Sequence, residues 1–261
     1  MKKIPIVRLT EESTTSLEDL VVREFPLTIL LNNREVVTLL CSPKDLRYLA
    51  AGFLFSEGLV TSKGEIKKIL VDDRRGVVQV ETGEVKALTD KPAFKRSIAS
   101  SGSKGVSFYK SADRQSYAKI ESQTRISTHE VFTLMDEFIQ RSEIFKATGG
   151  VHSAALCDTE NILVFNEDIG RHNAIDKIFG KCLLEDIPTD GRIVITSGRI
   201  SSEILLKVAM RNIPIIISKS APTDLGVKLA SDSGITLLGF VRGTRINAYA
   251  SDWRILSNGK R

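Results

Sequence analysis

The chain has 261 residues, 42% hydrophobic and 26% charged, with 37 Lys and Arg against 32 Asp and Glu for a formal charge of +5. That length suggests one large or two modest domains of an ordinary soluble globular protein, and no apolar run approaches the roughly 20 residues of a membrane-spanning helix. The cysteines Cys41, Cys157 and Cys182 are odd in number and contain no Cys-x-x-Cys, which argues against a disulfide framework or zinc knuckle and points to a reducing cytoplasm.

Lys2 and Lys3 precede Ile4-Pro5-Ile6-Val7-Arg8, too short and interrupted for a secretory segment. Val, Ile and Leu then alternate with polar residues through the first forty positions. Thr28 to Val37 carries Asn32-Asn33 between two β-prone runs, a hairpin signal. Ser42 before Pro43 reads as an N-cap with proline at the first helical position, and Leu46, Leu49, Ala50, Phe53 and Leu54 follow at helical spacing until Gly58. Residues 66–88 return to short strands, as in a small meander.

From about 89 to 124 the character changes to serine and glycine without a sustained period; this stretch reads as a mobile surface loop closing a strand-rich N-terminal domain, 1–124. A second domain, 125–261, opens with the capping box Ser127-Thr128-His129-Glu130, and Val131, Leu134, Met135, Phe138 and Ile139 form the buried stripe of a helix. Beyond Gly150 strands and helices alternate, the signature of α/β layering. Strands are expected at 154–157, 162–165, 193–196, 214–218 and 235–240, and helices near 170–184, 201–211 and 223–231. The continuous apolar runs at 193–195 and 213–217 suit strands covered on both faces.

Polar residues concentrate between Thr148 and Lys177, where Gly149-Gly150 and two of the three histidines, His152 and His172, stand between apolar runs. His172 and Asp176 are four apart on a helix starting near Gly170, so the carboxylate is placed to orient the imidazole as an acid/base pair. Glu167 and Asp168 are placed to cap that helix. His152 is open to three readings: ligand contact, metal ligand or satisfied buried histidine. A zinc deaminase needs His-x-Glu with Pro-Cys-x-x-Cys; His152 is followed by Ser153-Ala154, so no zinc and no deaminase chemistry are expected.

Three polar turns follow strands. Ser197-Gly198-Arg199 either holds an anion at a helix N-terminus or is an ordinary turn capped by Ser201 or Ser202. Phe240-Val241-Arg242-Gly243-Thr244-Arg245 offers two arginines for a diphosphate and Phe240 for a purine or pterin ring, or else is a hairpin turn with solvated arginines. Ser218 to Asp224 is the third. With no reading motif and no aromatic-basic interleaving, nucleic-acid binding is disfavoured.

The segments Thr148-Gly149-Gly150-Val151-His152, Asn166 to Lys177 (reading Asn-Glu-Asp-Ile-Gly-Arg-His-Asn-Ala-Ile-Asp-Lys), Ser197 to Glu203, Ser220 to Thr223 and Gly239 to Arg242 together resemble the FdhD-type accessory sulfurtransferases of formate dehydrogenase. The resemblance implies a cytidine-deaminase-like three-layer α/β core with a mixed sheet, α+β overall with the smaller strand-rich domain, in a cytoplasmic homodimer. It further implies binding of the molybdenum or tungsten bis(guanine dinucleotide) pterin cofactor as cargo, in a site corresponding to Phe240 through Arg245; Ser197, Gly198, Arg199 and His172 join it as candidate cofactor-binding residues from the reading of the residues themselves. Formate dehydrogenase and a cysteine desulfurase are the implied partners. In that family a loop cysteine accepts persulfide sulfur and passes it to the cofactor. This chain instead reads Ser101-Gly102-Ser103-Lys104, and a serine hydroxyl cannot carry a persulfide. The expectations therefore divide between a sulfur-transferring member and a non-catalytic protein that binds or escorts the cofactor.

Overall fold

The computed structural model describes residues 1–83, 97–98 and 119–256; the Ser101–Lys104 segment lies outside the described residues. The chain begins with β1 (Lys2–Leu9) and β2 (Thr14–Val21), an antiparallel pair standing apart as its own two-stranded sheet. Then come β3 (Phe25–Leu31), β4 (Arg34–Cys41), helix α1 (Leu46–Ser56), β5 (Ile66–Asp72), β6 (Val77–Thr82) and the short β7 (Ser97–Ile98). The last five strands form one sheet in the order β5-β6-β3-β4-β7. Asn32 and Asn33 join β3 to β4 with φ of 48° and 62°, the positive pair that a tight hairpin demands and asparagine tolerates. One face of this sheet buries Leu27, Ile29, Val78 and Val80 against Leu46, Leu49, Ala50, Phe53 and Leu54 of α1.

The start of α1 differs from the sequence expectation. Its N-cap is Asp45, in the left-handed region at φ 58°, and Ser42 lies outside the helix. Ser42 is engaged elsewhere: its amide donates to Asp168 Oδ2 at 2.9 Å and its hydroxyl accepts from the Ile169 amide at 3.2 Å. A tertiary demand has overridden a local signal.

The remainder runs β8 (Ile126–Ser127), α2 (Thr128–Arg141), α3 (Glu143–Thr148), β9 (His152–Cys157), β10 (Ile162–Asp168), α4 (Arg171–Leu184), β11 (Ile193–Thr196), α5 (Ser202–Ala209), β12 (Ile215–Ser218), α6 (Asp224–Ser233), β13 (Thr236–Arg242), β14 (Arg245–Ala250) and β15 (Ile255–Leu256). Six of these strands form a mixed sheet in the order β10-β9-β11-β12-β13-β14. β11, β12 and β13 are parallel, and the flanking pairings are antiparallel. Side chains alternate between two cores, as a strand covered on both faces requires. Val194 and Ile216 pack with Ile175, Ile178, Leu205 and Ala230 of α4, α5 and α6, whereas Ile193, Ile195, Ile215 and Ile217 pack with Val131, Leu134 and Phe138 of α2. Helices thus cover each face of the central sheet.

The capping box at α2 forms as read: Ser127 Oγ accepts from the Glu130 amide and the Glu130 carboxylate accepts from the Ser127 amide at 2.6 Å. The pair β1 and β2 and the short α3 were not individually expected. Arg254 was also missed: it has no exposed surface and donates to the carbonyls of Ile120, Ser122 and Gly234. It thereby holds the segment entering β8 against β13, with the Trp253 ring 4.0 Å from its guanidinium carbon.

Candidate functional site

The parallel strands β11, β12 and β13 end on one sheet edge, and their turns are stitched to one another. Lys219 N donates to Thr196 O at 3.2 Å, Ser218 Oγ to Gly198 O at 2.8 Å, and Phe240 N to Ser220 O at 3.1 Å. Ile200 and Pro222 add an isolated parallel bridge. The three polar turns singled out in the sequence therefore form one continuous edge. Strand ends with helix N-termini behind them are where open α/β sheets hold anions.

At the β11 end, Gly198 packs on the stem of Arg171: a Cβ there would stand 2.9 Å from Arg171 Cβ. Arg171 opens α4, and its Nε is buried without a hydrogen-bond partner. Arg199 is exposed beside it. Each cation lowers the other's neighbours: His152 is pushed below its usual range by burial, then by Arg171 and Arg199, with Asp168 opposing. Burial also pushes His172 down, to about 3, helped by Lys207, Arg171 and His152. Both rings are therefore neutral at pH 7. His152 Nδ1 lies 3.3 Å from Ser197 Oγ, which also accepts from the Ser153 amide at 3.0 Å. Ser201 occupies the N-cap position of α5, but its hydroxyl makes no cap and is itself buried without a partner.

The expected His172–Asp176 pair is not what forms. Both Asp176 oxygens accept from Lys207, at 2.7 and 2.6 Å, and Oδ1 also accepts from Ser56 Oγ at 2.6 Å. His172 Nε2 instead faces Glu203 Oε2 at 3.5 Å. The i to i+4 spacing was correct for a helix, but Asp176 points into the α1–α4–α5 junction, where a buried ammonium claims it. Glu167 also departs from expectation: it caps α3, accepting from the amides of Ile144 and Phe145 at 3.0 Å each. Asp168 does not bond an amide of α4 itself: it accepts from the N-cap amide Gly170 N at 2.9 Å and from the Asn173 side chain, and it pairs with Lys177 at 2.7 Å with both side chains fully buried.

At the β13 end the chain makes a hairpin into β14, with Arg242, Gly243, Thr244 and Arg245 exposed. Arg242 Nε donates to Lys219 O at 3.1 Å, joining this end to the β12 turn. Val241 is a core side chain with no exposed surface, so only its backbone is available to a ligand. Phe240 is the unusual residue: its φ is 50°, in the left-handed region that a bulky aromatic avoids. The guanidinium carbons of Arg242 and Arg245 lie 5.9 and 6.0 Å from its ring centroid, at the limit of cation–π contact.

No group of three His, Cys, Asp or Glu gathers as a metal site among the described residues. The thiols are equally remote from chemistry. Cys41, Cys157 and Cys182 are all buried, and burial pushes Cys41 and Cys182 up to about 12 and Cys157 higher still. Arg171, Lys207 and Ser153 were not assigned by sequence reasoning. The Gly170-Arg171-His172 run held the signal for Arg171, but nothing local marks Lys207, which lies 31 residues from Asp176.

Comparison with known proteins gives a consistent picture. The model of the FdhD/NarQ family matches residues 22–256. A protein of Bacillus subtilis (strain 168) named sulfur carrier protein FdhD is 44% identical over 248 residues, covering 95% of both chains. One of the same name from Bacillus pumilus (strain SAFR-032) is 43% identical over 254 residues, covering 97% of both. A crystal structure from Desulfotalea psychrophila, described as a candidate formate dehydrogenase accessory protein, superposes with a TM-score of 0.82 at 30% identity, covering 98% of this chain and 99% of that one.

Proposed function

The chain belongs to the FdhD/NarQ family, and on that premise we propose that it acts in formate dehydrogenase maturation by binding a nucleotide-linked cofactor without carrying sulfur on its own thiol. The cargo is the guanine-dinucleotide form of a molybdenum or tungsten pterin. Arg199, Arg242 and Arg245 meet its phosphates, and Phe240 meets a ring. The core is read as cytidine-deaminase-like in its layering, the working form as a cytoplasmic homodimer, and a formate dehydrogenase as the recipient.

Phe240 is the observation that carries this reading. A strained, half-buried aromatic stands at the end of a parallel strand beside two exposed arginines, at a position where glycine would adopt the same backbone without strain. Phosphate recognition and ring stacking need that combination of flat aromatic surface and forked cations. Direct persulfide relay lacks a side chain: the sequence holds three cysteines, and all are buried. A cysteine desulfurase, if it serves this pathway, must deliver sulfur through another protein's thiol. Calorimetric titration with GDP tests the reading. Binding that Arg242→Ala weakens at least tenfold is expected; absence of GDP binding, or binding indifferent to that change, overturns it.

A further inference from the structure

We propose that the turn after β11 carrying Ser197 and Arg199, with Arg171 and His152 beside it, is a proton-coupled site for a doubly charged oxyanion of the phosphate class, in which Ser197 reverses its hydrogen bond with His152 as the anion arrives. This rests on the reading of the sheet edge as a phosphate-holding edge, and adds to it a mechanism and a pH dependence.

The heavy-atom geometry admits the His152–Ser197 bond in either direction, and we assign one direction to each state. Ser197 Oγ accepts from the Ser153 amide at 3.0 Å, so its one hydrogen is free to donate to His152 Nδ1 at 3.3 Å. The neutral ring then carries its proton on Nε2. When an anion sits between the two arginines, their repulsion of a charged imidazole is cancelled. One proton is taken from solvent onto Nδ1, and Nδ1–H now donates to the remaining lone pair of Ser197 Oγ. The hydroxyl hydrogen, still on Ser197, turns to donate a hydrogen bond to an anion oxygen. No heavy-atom bond changes, and one proton is bound per anion. Arg171 adds a buried Nε–H with no partner of its own, held in place by the close contact of its stem with Gly198.

Among the described residues, the charged groups facing the rings are few. Around His152 stand Arg171 and His172 on α4, Arg199 on the turn after β11 and Asp168 on β10. Asp168 is already neutralised by Lys177 at 2.7 Å. Around His172 stand Lys207 and Glu203 on α5. Lys207 is paired with Asp176 at 2.6 Å, so Arg171 and Arg199 face the single unpaired carboxylate of Glu203, which leaves room for an added anion. Because the ring is neutral in the free protein and charged in the complex, affinity rises as pH falls, by up to about tenfold per pH unit between the two states' pKa values.

Sulfate is the probe, since its charge is fixed across the range. Calorimetry on the full chain from pH 8 to pH 5.5, in pairs of buffers with different ionisation heats, reads both affinity and proton uptake. Tightening at lower pH with a buffer-dependent heat is expected. His152→Gln abolishes both the buffer dependence and the tightening at lower pH. Arg171→Met weakens binding at least tenfold at every pH, and exposed Arg199→Met gives the same direction should the first variant fold poorly. Absence of sulfate binding, equal heats in both buffers, or coupling that survives in His152→Gln overturns the proposal. GDP binding that depends on Arg242 but shows none of this pH behaviour would leave the cofactor reading standing and remove this one alone.

Discussion

Gly52 on α1 and Gly180 on α4 meet backbone to backbone: a Cβ on Gly52 would stand 2.8 Å from Gly180 N, and one on Gly180 would stand 2.6 Å from Gly52 N. Helix axes approach this closely only where no side chain intervenes. The contact joins the core of the five-stranded sheet to the helix that opens with Arg171 and His172. Because the obstacle is backbone, no rotamer change relieves it. Gly52→Ala is expected to lose at least about 1–3 kcal/mol of stability, read as a lower urea midpoint with an unchanged slope. An unaltered midpoint would show that the helices can separate freely.

A second link between the halves is the fully buried Asp168–Lys177 pair, whose carboxylate also accepts from Ser42 N, Gly170 N and Asn173 Nδ2. Removing one partner strands the other charge in a dry interior. Lys177→Met should cost about 3–5 kcal/mol, and the double change with Asp168→Asn should recover part of that loss. If the double variant is no more stable than the single one, the amide hydrogen bonds rather than the ion pair dominate.

These two links also mark where the sequence ceased to be legible. The runs at 193–195 and 213–217 announced strands because their isoleucines and valine face a core on one side or the other, and Asn32-Asn33 announced its turn because few residues tolerate positive φ. Such signals are local. Ser42 was misread as a helix cap because its true partner, Asp168, is 126 residues away, and Asp176 was given to His172 because Lys207 lies on another helix. The three strand-end turns were legible singly as polar turns. Their union into one edge depended on sheet order, and the strain at Phe240 depended on a register break between β13 and β14.

The neutral His172 makes stability depend on pH. Its folded-state pKa, about 3, lies below the ordinary 6.5, so the unfolded chain binds more protons between these values. The contribution is fully present above about pH 6.5 and is lost as pH falls toward 3. The side chain keeps 26% of its exposure, so solvent softens the effect: between pH 7 and pH 5 on the order of 1–2 kcal/mol should be lost. Urea unfolding of His172→Gln should show a flatter dependence over that interval. An equally steep profile in the variant would assign the acid sensitivity to other groups.

The buried thiols give a direct check on the proposal that this chain carries no sulfur itself. Cys41, Cys157 and Cys182 should react with a thiol-exchange reagent at pH 8 only at the rate of global unfolding, and all three promptly in denaturant. Incubation with a cysteine desulfurase and labelled cysteine should leave the chain unlabelled. A single fast-reacting thiol, or label that a reductant releases, would restore persulfide carriage to this protein.

Phe240 separates binding from folding more sharply than any other residue of the edge. At φ 50° a residue with a side chain is strained by roughly 1–2 kcal/mol relative to glycine. Phe240→Gly relieves that strain while giving up the packing of a half-buried ring, so the net change in stability should fall within about 1 kcal/mol. Binding should respond differently. Without the ring, Arg242 and Arg245 lose the surface beside which they stand, and a base or pterin loses its stacking partner. GDP affinity is expected to drop at least tenfold in Phe240→Gly and to be retained in Phe240→Tyr, which keeps both the strain and the aromatic face. Equal affinity in wild type and Phe240→Gly would mean that the strained conformation serves the hairpin alone, and would shift recognition of the ligand to the arginines.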